Sequence, residues 1–166
     1  MKEKALLVID VQHGFMQQGA EIVVPRIRDL VGAWPEDDIF YLCYRNYPGS
    51  FFSKNLDWTE CMTGEAVAIV PDVYKKGRPV FEHYGYKPPE GAMQALRQYQ
   101  SVHICGVDTD ACLMAAVFAL WDAEIRPVVL EHYCASSGGP HFHQVAVDLM
   151  LRQFGTGCIV RGQVAG

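Results

Sequence analysis

Residues 101–121, SVHICGVDTDACLMAAVFALW, change character at Gly106. A short apolar run of strand type leads into it, a polar turn follows, and an apolar stretch of helical length begins close to Cys112. The same alternation runs along the whole chain. Strand-type runs stand at 4–10 (KALLVID), 38–44 (DIFYLCY), 78–81 (RPVF), 126–131 (RPVVLE) and 157–162 (GCIVRG). Between them, residues 25–34, 88–100, 111–124 and 140–155 repeat their apolar positions at helical spacing. Pro25, Pro89 and Pro140 are placed to open helices, and Gly155 to end one. This β-α alternation predicts an α/β fold, with six strands in a mostly parallel sheet covered by helices on both faces. In such sheets ligands bind beyond the carboxyl ends of the strands.

Length and composition set bounds on the rest. With 166 residues, half of them hydrophobic and 20% charged, residues 1–166 are expected to form one domain. The net charge of -5 and the absence of a Lys/Arg block give no footprint for nucleic acid. No apolar run reaches the roughly 20 residues that span a bilayer, so no membrane partner is expected. The start, MKEKALLVID, reaches Asp10 without a signal-peptide pattern, which points to a cytoplasmic protein. Six cysteines, at 43, 61, 105, 112, 134 and 158, lack CxxC spacing and framework density, so most should be reduced thiols. GxGxxG is absent, and no cofactor is expected. Residues 46–63 carry Tyr47, Phe51, Phe52 and Trp58 without a clear period. They suit either a pocket cover or a subunit contact, and with the apolar final helix they favour a homo-oligomer.

Two segments carry chemistry. Near the start of a helix Cys112 would meet free N–H groups and a positive dipole end, which lower a thiol pKa and activate a thiolate. Packing as a small residue between helix and sheet is the equally weighted alternative. In LLVIDVQHGF, Asp10 follows a strand and would share an edge with Cys112, or serve as a turn-former.

Together these segments resemble the isochorismatase-like cysteine hydrolases, which include nicotinamidases and carbamoylsarcosine amidohydrolases. Asp10, Gln12 and Phe15 match D-x-Q-x-x-F, and Gly106, Val107, Thr109, Asp110 and Cys112 match G-V-x-T-D-x-C. Residues 128–155 look like the family's late strand, Ser-containing loop and final helix. The resemblance implies a three-layer Rossmann-like fold and a hydrolase of small amide or carbamoyl substrates. It also implies an Asp, Lys, Cys triad, with Asp10 and Cys112 in the first and last roles. An oxyanion hole would form from the N–H groups of Asp108 and Cys112 beside a cis bond at Val107–Asp108, and Gln12 and Phe15 would serve the substrate pocket.

Two departures stand out. Aligning Tyr86 in RPVFEHYGYKPPEG with the family's Tyr puts His83 where the family has Lys. Imidazole can move a proton near neutrality, so Asp10, His83 and Cys112 form a usable set. An exposed strand-end residue is the competing reading of His83. Lys87 lies farther along, and Glu82 should face the other way. A non-catalytic or redox-reactive protein on the same fold is the alternative function. Nicotinamidases also bind zinc or iron through an Asp-x-His segment and a further His after the second strand. Residues 44–58 contain no His, so no metal is expected. His141 and His143 are expected to be solvated or capping residues, and the Asp108 carboxylate to disfavour anionic substrates.

Overall fold

The computed structural model describes residues 1–164. All six expected strands form, as β1 (Lys2–Ile9), β2 (Ile39–Tyr44), β3 (Val80–His83), β4 (Tyr99–Gly106), β5 (Arg126–Cys134) and β6 (Ile159–Val160). They make one sheet in the order β3-β2-β1-β4-β5-β6, and every ladder is parallel. The order reverses between β1 and β4, so the switch point lies where Asp10 and the turn after Gly106 leave the sheet.

Period-2 alternation divides the strand residues between two cores. Leu7, Ile9, Leu42 and Ile104 face one side, where α3 (Glu90–Leu96), α4 (Met114–Asp122) and α5 (Pro140–Phe154) pack. Leu6, Val8, Tyr41 and Leu130 face the other, covered by α1 (Val23–Ala33) through Ile27 and Leu30. Because both faces are buried, β1 reads as an unbroken apolar run, with Ala5 to Ile9 each no more than 1% exposed. Each such Leu or Ile contributes about 1.5–3 kcal/mol of transfer free energy.

The helices begin close to their prolines. Pro140 is the first residue of α5, Pro89 precedes α3, and Pro25 falls in the first turn of α1. Gly155 ends α5 with φ of 79°. Residues 46–63, read as irregular, contain the short helix α2 (Phe51–Asn55), whose N-cap Ser50 accepts the Ser53 N–H at 3.1 Å.

Gly106 is decisive for the edge that carries the site. It has φ of +116°, and a Cβ placed there would lie 2.1 Å from the Ile9 carbonyl oxygen. Only glycine lets β4 end this close to β1, with Val107 N–H donating to that carbonyl at 2.9 Å. Gly106→Ala is therefore expected to destabilise the protein by more than about 3 kcal/mol. Thermal unfolding should show a melting temperature lower by at least ~6 °C.

Candidate active site

Three strand ends supply the site. Asp10 follows β1 in a left-handed conformation, φ 52°, which Asp tolerates better than most residues. His83 closes β3, and reaches Asp10 across β2. Cys112 sits in a π-helical turn, Thr109–Leu113, that leads into α4. All three side chains are buried, and one ligand-type atom from each lies within 4.8 Å of the others.

The hydrogen bonds assign the protons. His83 Nδ1 lies 2.6 Å from the Gly85 carbonyl, which can only accept, so Nδ1 carries hydrogen. His83 Nε2 lies 2.8 Å from Asp10 Oδ1. Burial works against the charged imidazole, but the Asp10 hydrogen bond and charge, with help from Gly85, outweigh it and raise the His83 pKa. Pairing with Asp10 thus favours the protonated imidazole. Asp10 Oδ2 is buried without a nitrogen or oxygen partner among the described residues, and the carboxylate lies close to the Cys112 thiol.

The thiol differs from the sequence expectation. Burial pushes the Cys112 pKa well up, and the Asp10 carboxylate pushes it the same way. A helix terminus is worth typically 0.3–1 kcal/mol, too little against removal from water beside a carboxylate. The resting group is the neutral thiol, and the expected thiolate does not form at rest.

Around Cys112 the backbone is spent selectively. Val107 N–H donates to Ile9 O, and Thr109 N–H to Ala135 O, each at 2.9 Å. Among the described residues no acceptor meets the Asp108 N–H between them. The Asp108 carbonyl takes the N–H of Ala111 and of Leu113, at 3.0 and 3.1 Å, passing over Cys112. The Val107–Asp108 bond is cis, as the resemblance implied. The Asp108 carboxylate accepts from Ser137 N–H and Ser137 Oγ, both at 2.7 Å. Burial raises its pKa to about 6, with the two Ser137 bonds opposing.

A cavity of about 310 Å³ opens onto Cys112, with Phe15, Tyr44, Phe52, Trp58 and Tyr86 among its walls. Phe15 lines this cavity. Gln12 does not: it is fully buried, its Nε2 donates to Tyr44 O at 2.9 Å and Val67 O at 2.7 Å, and its Oε1 accepts Tyr44 N–H at 2.8 Å. Its amide fastens β2 to the segment after β1 and lies outside the cavity lining. Lys87 lines a separate depression with Glu82, and Glu82 pairs with Arg45 at 2.7 Å on the surface.

His143 is half-buried, and its ring bonds to the turn before α4 rather than capping α5. Thr109 Oγ1 donates to Ala135 O at 2.8 Å, so it accepts from His143 Nδ1, also at 2.8 Å. This bond ties α5 to the turn that carries Cys112. Tyr44, Phe52 and Trp58 were visible in the sequence only as members of aromatic-rich stretches, because their spacing follows no single element.

The donors after β2 do not suit a metal. Asn46 stands there, with Oδ1 accepting from Tyr47 N–H at 2.9 Å and Ser50 Oγ at 2.7 Å, and Nδ2 donating to Trp58 O at 3.0 Å. No imidazole or carboxylate joins it in a ligand cluster among the described residues; the one such cluster is Asp10, His83 and Cys112 themselves.

A six-stranded parallel sheet with helices on both faces defines an α/β, Rossmann-like frame, and the chain belongs to the isochorismatase family: residues 4–159 match the isochorismatase domain. Pyrazinamidase of Pyrococcus horikoshii, solved in complex with zinc, superposes with a TM-score of 0.82 at 19% identity, over 96% of this chain and 99% of that one. N-carbamoylsarcosine amidase from Thermoplasma acidophilum gives 0.81 at 17% identity, over 99% of each chain. Nicotinamidase from Bacillus subtilis gives 0.78 at 20% identity, over 99% and 100%. No curated protein matches the chain.

The raised His83 pKa has a consequence for pH. The native state holds this proton more tightly than the unfolded chain, whose His titrates near 6.5. The stabilisation is therefore fully present below about pH 6.5 and is lost as pH rises through the native value. Melting temperatures of wild type and His83→Gln, compared from pH 6 to 9, should show a wild-type advantage that shrinks toward the alkaline end.

Proposed function

We propose that this chain is a cysteine-dependent hydrolase of a small amide or carbamoyl compound, with Cys112 as nucleophile, Asp10 as base and His83 as the cation that orients Asp10. The observation that carries the reading is the cluster at Asp10: Oδ1 is held by His83, and the buried carboxylate lies within 4.8 Å of the protonated Cys112 thiol. A base so placed takes the proton only when the nucleophile attacks. Its membership of a family whose solved relatives include amidases by name points the same way.

In the first half-reaction the Cys112 proton passes to Asp10 Oδ2 as Sγ adds to the carbonyl carbon. The free N–H of Asp108 and that of Cys112 face the oxyanion, Gln12 acting only as scaffold behind them. The C–N bond then breaks, and Asp10 returns the proton to the leaving nitrogen. Water adds to the resulting thioester, gives its proton to Asp10 and, through it, to the departing thiolate. The acid leaves and the thiol is restored. The cavity volume suits a small-molecule substrate, and the donor set after β2 supports a reaction without a resident metal.

His83 supports this reading over a non-catalytic or redox-reactive one, since it preserves a cation against Asp10, and a protonated thiol is a poor target for oxidants. Six unpaired cysteines and the lack, among the described residues, of a helix able to cross a membrane support a cytoplasmic setting. Self-association is also part of the proposal. Phe118 and Trp121 on α4 and Phe142, Val145 and Leu149 on α5 each expose two fifths or more of their surface. Light scattering at micromolar concentration should give a mass above that of one 18.6 kDa chain.

A panel of small amides and carbamoyl compounds tests the chemistry. Cys112→Ala should lower turnover by at least ~10³-fold. His83→Ala should lower kcat by roughly 10²–10⁴-fold, with a smaller effect on KM, and His83→Lys should recover much of it. Hydrolysis that survives Cys112→Ala would refute the assignment.

A further inference from the structure

Among the described residues, the side chains that line the cavity at Cys112 carry charge of one sign, the His83–Asp10 pair lying outside that lining. Its ionisable carboxylates are Asp108 and Asp110, and no Lys, Arg or His contributes to the lining. The opposite wall is aromatic. Phe15 and Trp58 stack at 5.2 Å between centroids with 28° between planes, Tyr44 and Phe52 meet at 5.1 Å and 59°, and Phe52 and Tyr86 at 5.0 Å and 60°. Rings inclined to one another present faces in several directions, and ring faces attract cations, most strongly when water is excluded. A merely apolar pocket needs no carboxylate, and an acidic surface needs no aromatic box.

Asp108 is also fixed in place. Its two oxygens are held by Ser137 N–H and Oγ, which anchor the carboxylate beside the nucleophile's turn. Cys112, the nucleophile of the proposed reaction, lines the same cavity and marks it independently as the place where a substrate must sit.

We infer that the substrate is a cation: a small amide or carbamoyl compound whose non-reacting end is an alkylammonium or methylated ammonium group, seated in the box of Phe15, Tyr44, Phe52, Trp58 and Tyr86 and facing Asp108 and Asp110. This rests on the hydrolase reading of the same site and adds its substrate class. Anionic amides are rejected, because two carboxylates meet them and no cation in the lining offsets the repulsion.

Three amides of similar size separate the possibilities. Trimethylammonioacetamide carries the cation, 3,3-dimethylbutanamide is its neutral carbon isostere, and succinamate is anionic. Titration calorimetry on Cys112→Ala measures binding free of turnover, and kcat/KM on the wild type measures hydrolysis. The cation should bind and react ~10-fold or more better than the isostere, with succinamate the poorest. Asp110→Asn and Asp108→Asn, and Trp58→Leu, should each move the cation-to-isostere ratio toward one. Reading the ratio within each variant removes any general loss of activity or folded fraction. Equal binding of cation and isostere, or tighter binding of the isostere or succinamate, overturns the inference. A binding preference for the cation without hydrolysis of any of the three upholds the inference while refuting the hydrolase reading. Cys112-dependent hydrolysis with no such preference does the reverse.

Discussion

A carboxylate with no exposure to water sits at the end of β1, and the site is organised around satisfying half of it. Asp10 Oδ1 is matched by the His83 imidazolium at 2.8 Å, and that cation is itself fixed by the Gly85 carbonyl. Burying an unpaired ion costs several kcal/mol, so removing either partner would leave a large uncompensated charge. The same carboxylate also lies within 4.8 Å of the Cys112 thiol. Pairing through Oδ1 alone holds in place the carboxylate that we propose as the base.

The sheet makes this pairing possible. Asp10 and His83 lie two strands apart, on β1 and β3, so their meeting depends on the parallel register that sets Tyr44 beside His83 and Ile9 beside Leu42. On the other side of the switch point, Gly106 lets β4 approach Ile9 closely enough for the next turn to swing Cys112 back over Asp10. Gln12 locks the same corner by tying β2 to Val67. The Thr109–His143 bond then holds α5 against the turn from outside. Each of these contacts joins segments far apart in the chain, which is why the geometry tolerates little change at any of them.

In the proposed triad His83 stands where the resemblance implies a lysine, a positive group of different character. An imidazolium titrates closer to neutrality than an ammonium, and here it stays protonated because Asp10 and Gly85 outweigh burial. Charge at this position is therefore linked to pH in a way that lysine would not be. The surrounding rings add a further layer: Tyr44 packs edge-on to His83 at 5.5 Å while also contributing to the cavity wall, so the cation behind the site and the aromatic surface in front share one side chain.

Local pattern alone determined the alternation of strands and helices, the six strands, and the placing of Asp10 and Cys112 at carboxyl ends, since strand and helix periodicities are properties of neighbouring residues. Motif resemblance implied the cis bond, which is present, and an Asp, Lys, Cys set. Tertiary structure decided the rest. The sequence left His83, Lys87 and Glu82 as candidates for the third role, and the register of β3 against β2 turned His83 toward Asp10, Glu82 toward Arg45 and Lys87 into another depression. Gln12 and His143 became scaffold because their partners, Val67 and Thr109, stand 55 and 34 residues away. The protonated state of Cys112 was beyond reach for the same reason: a helix start is written in adjacent residues, whereas the burial and the carboxylate that override it come from strands the chain brings together only when folded.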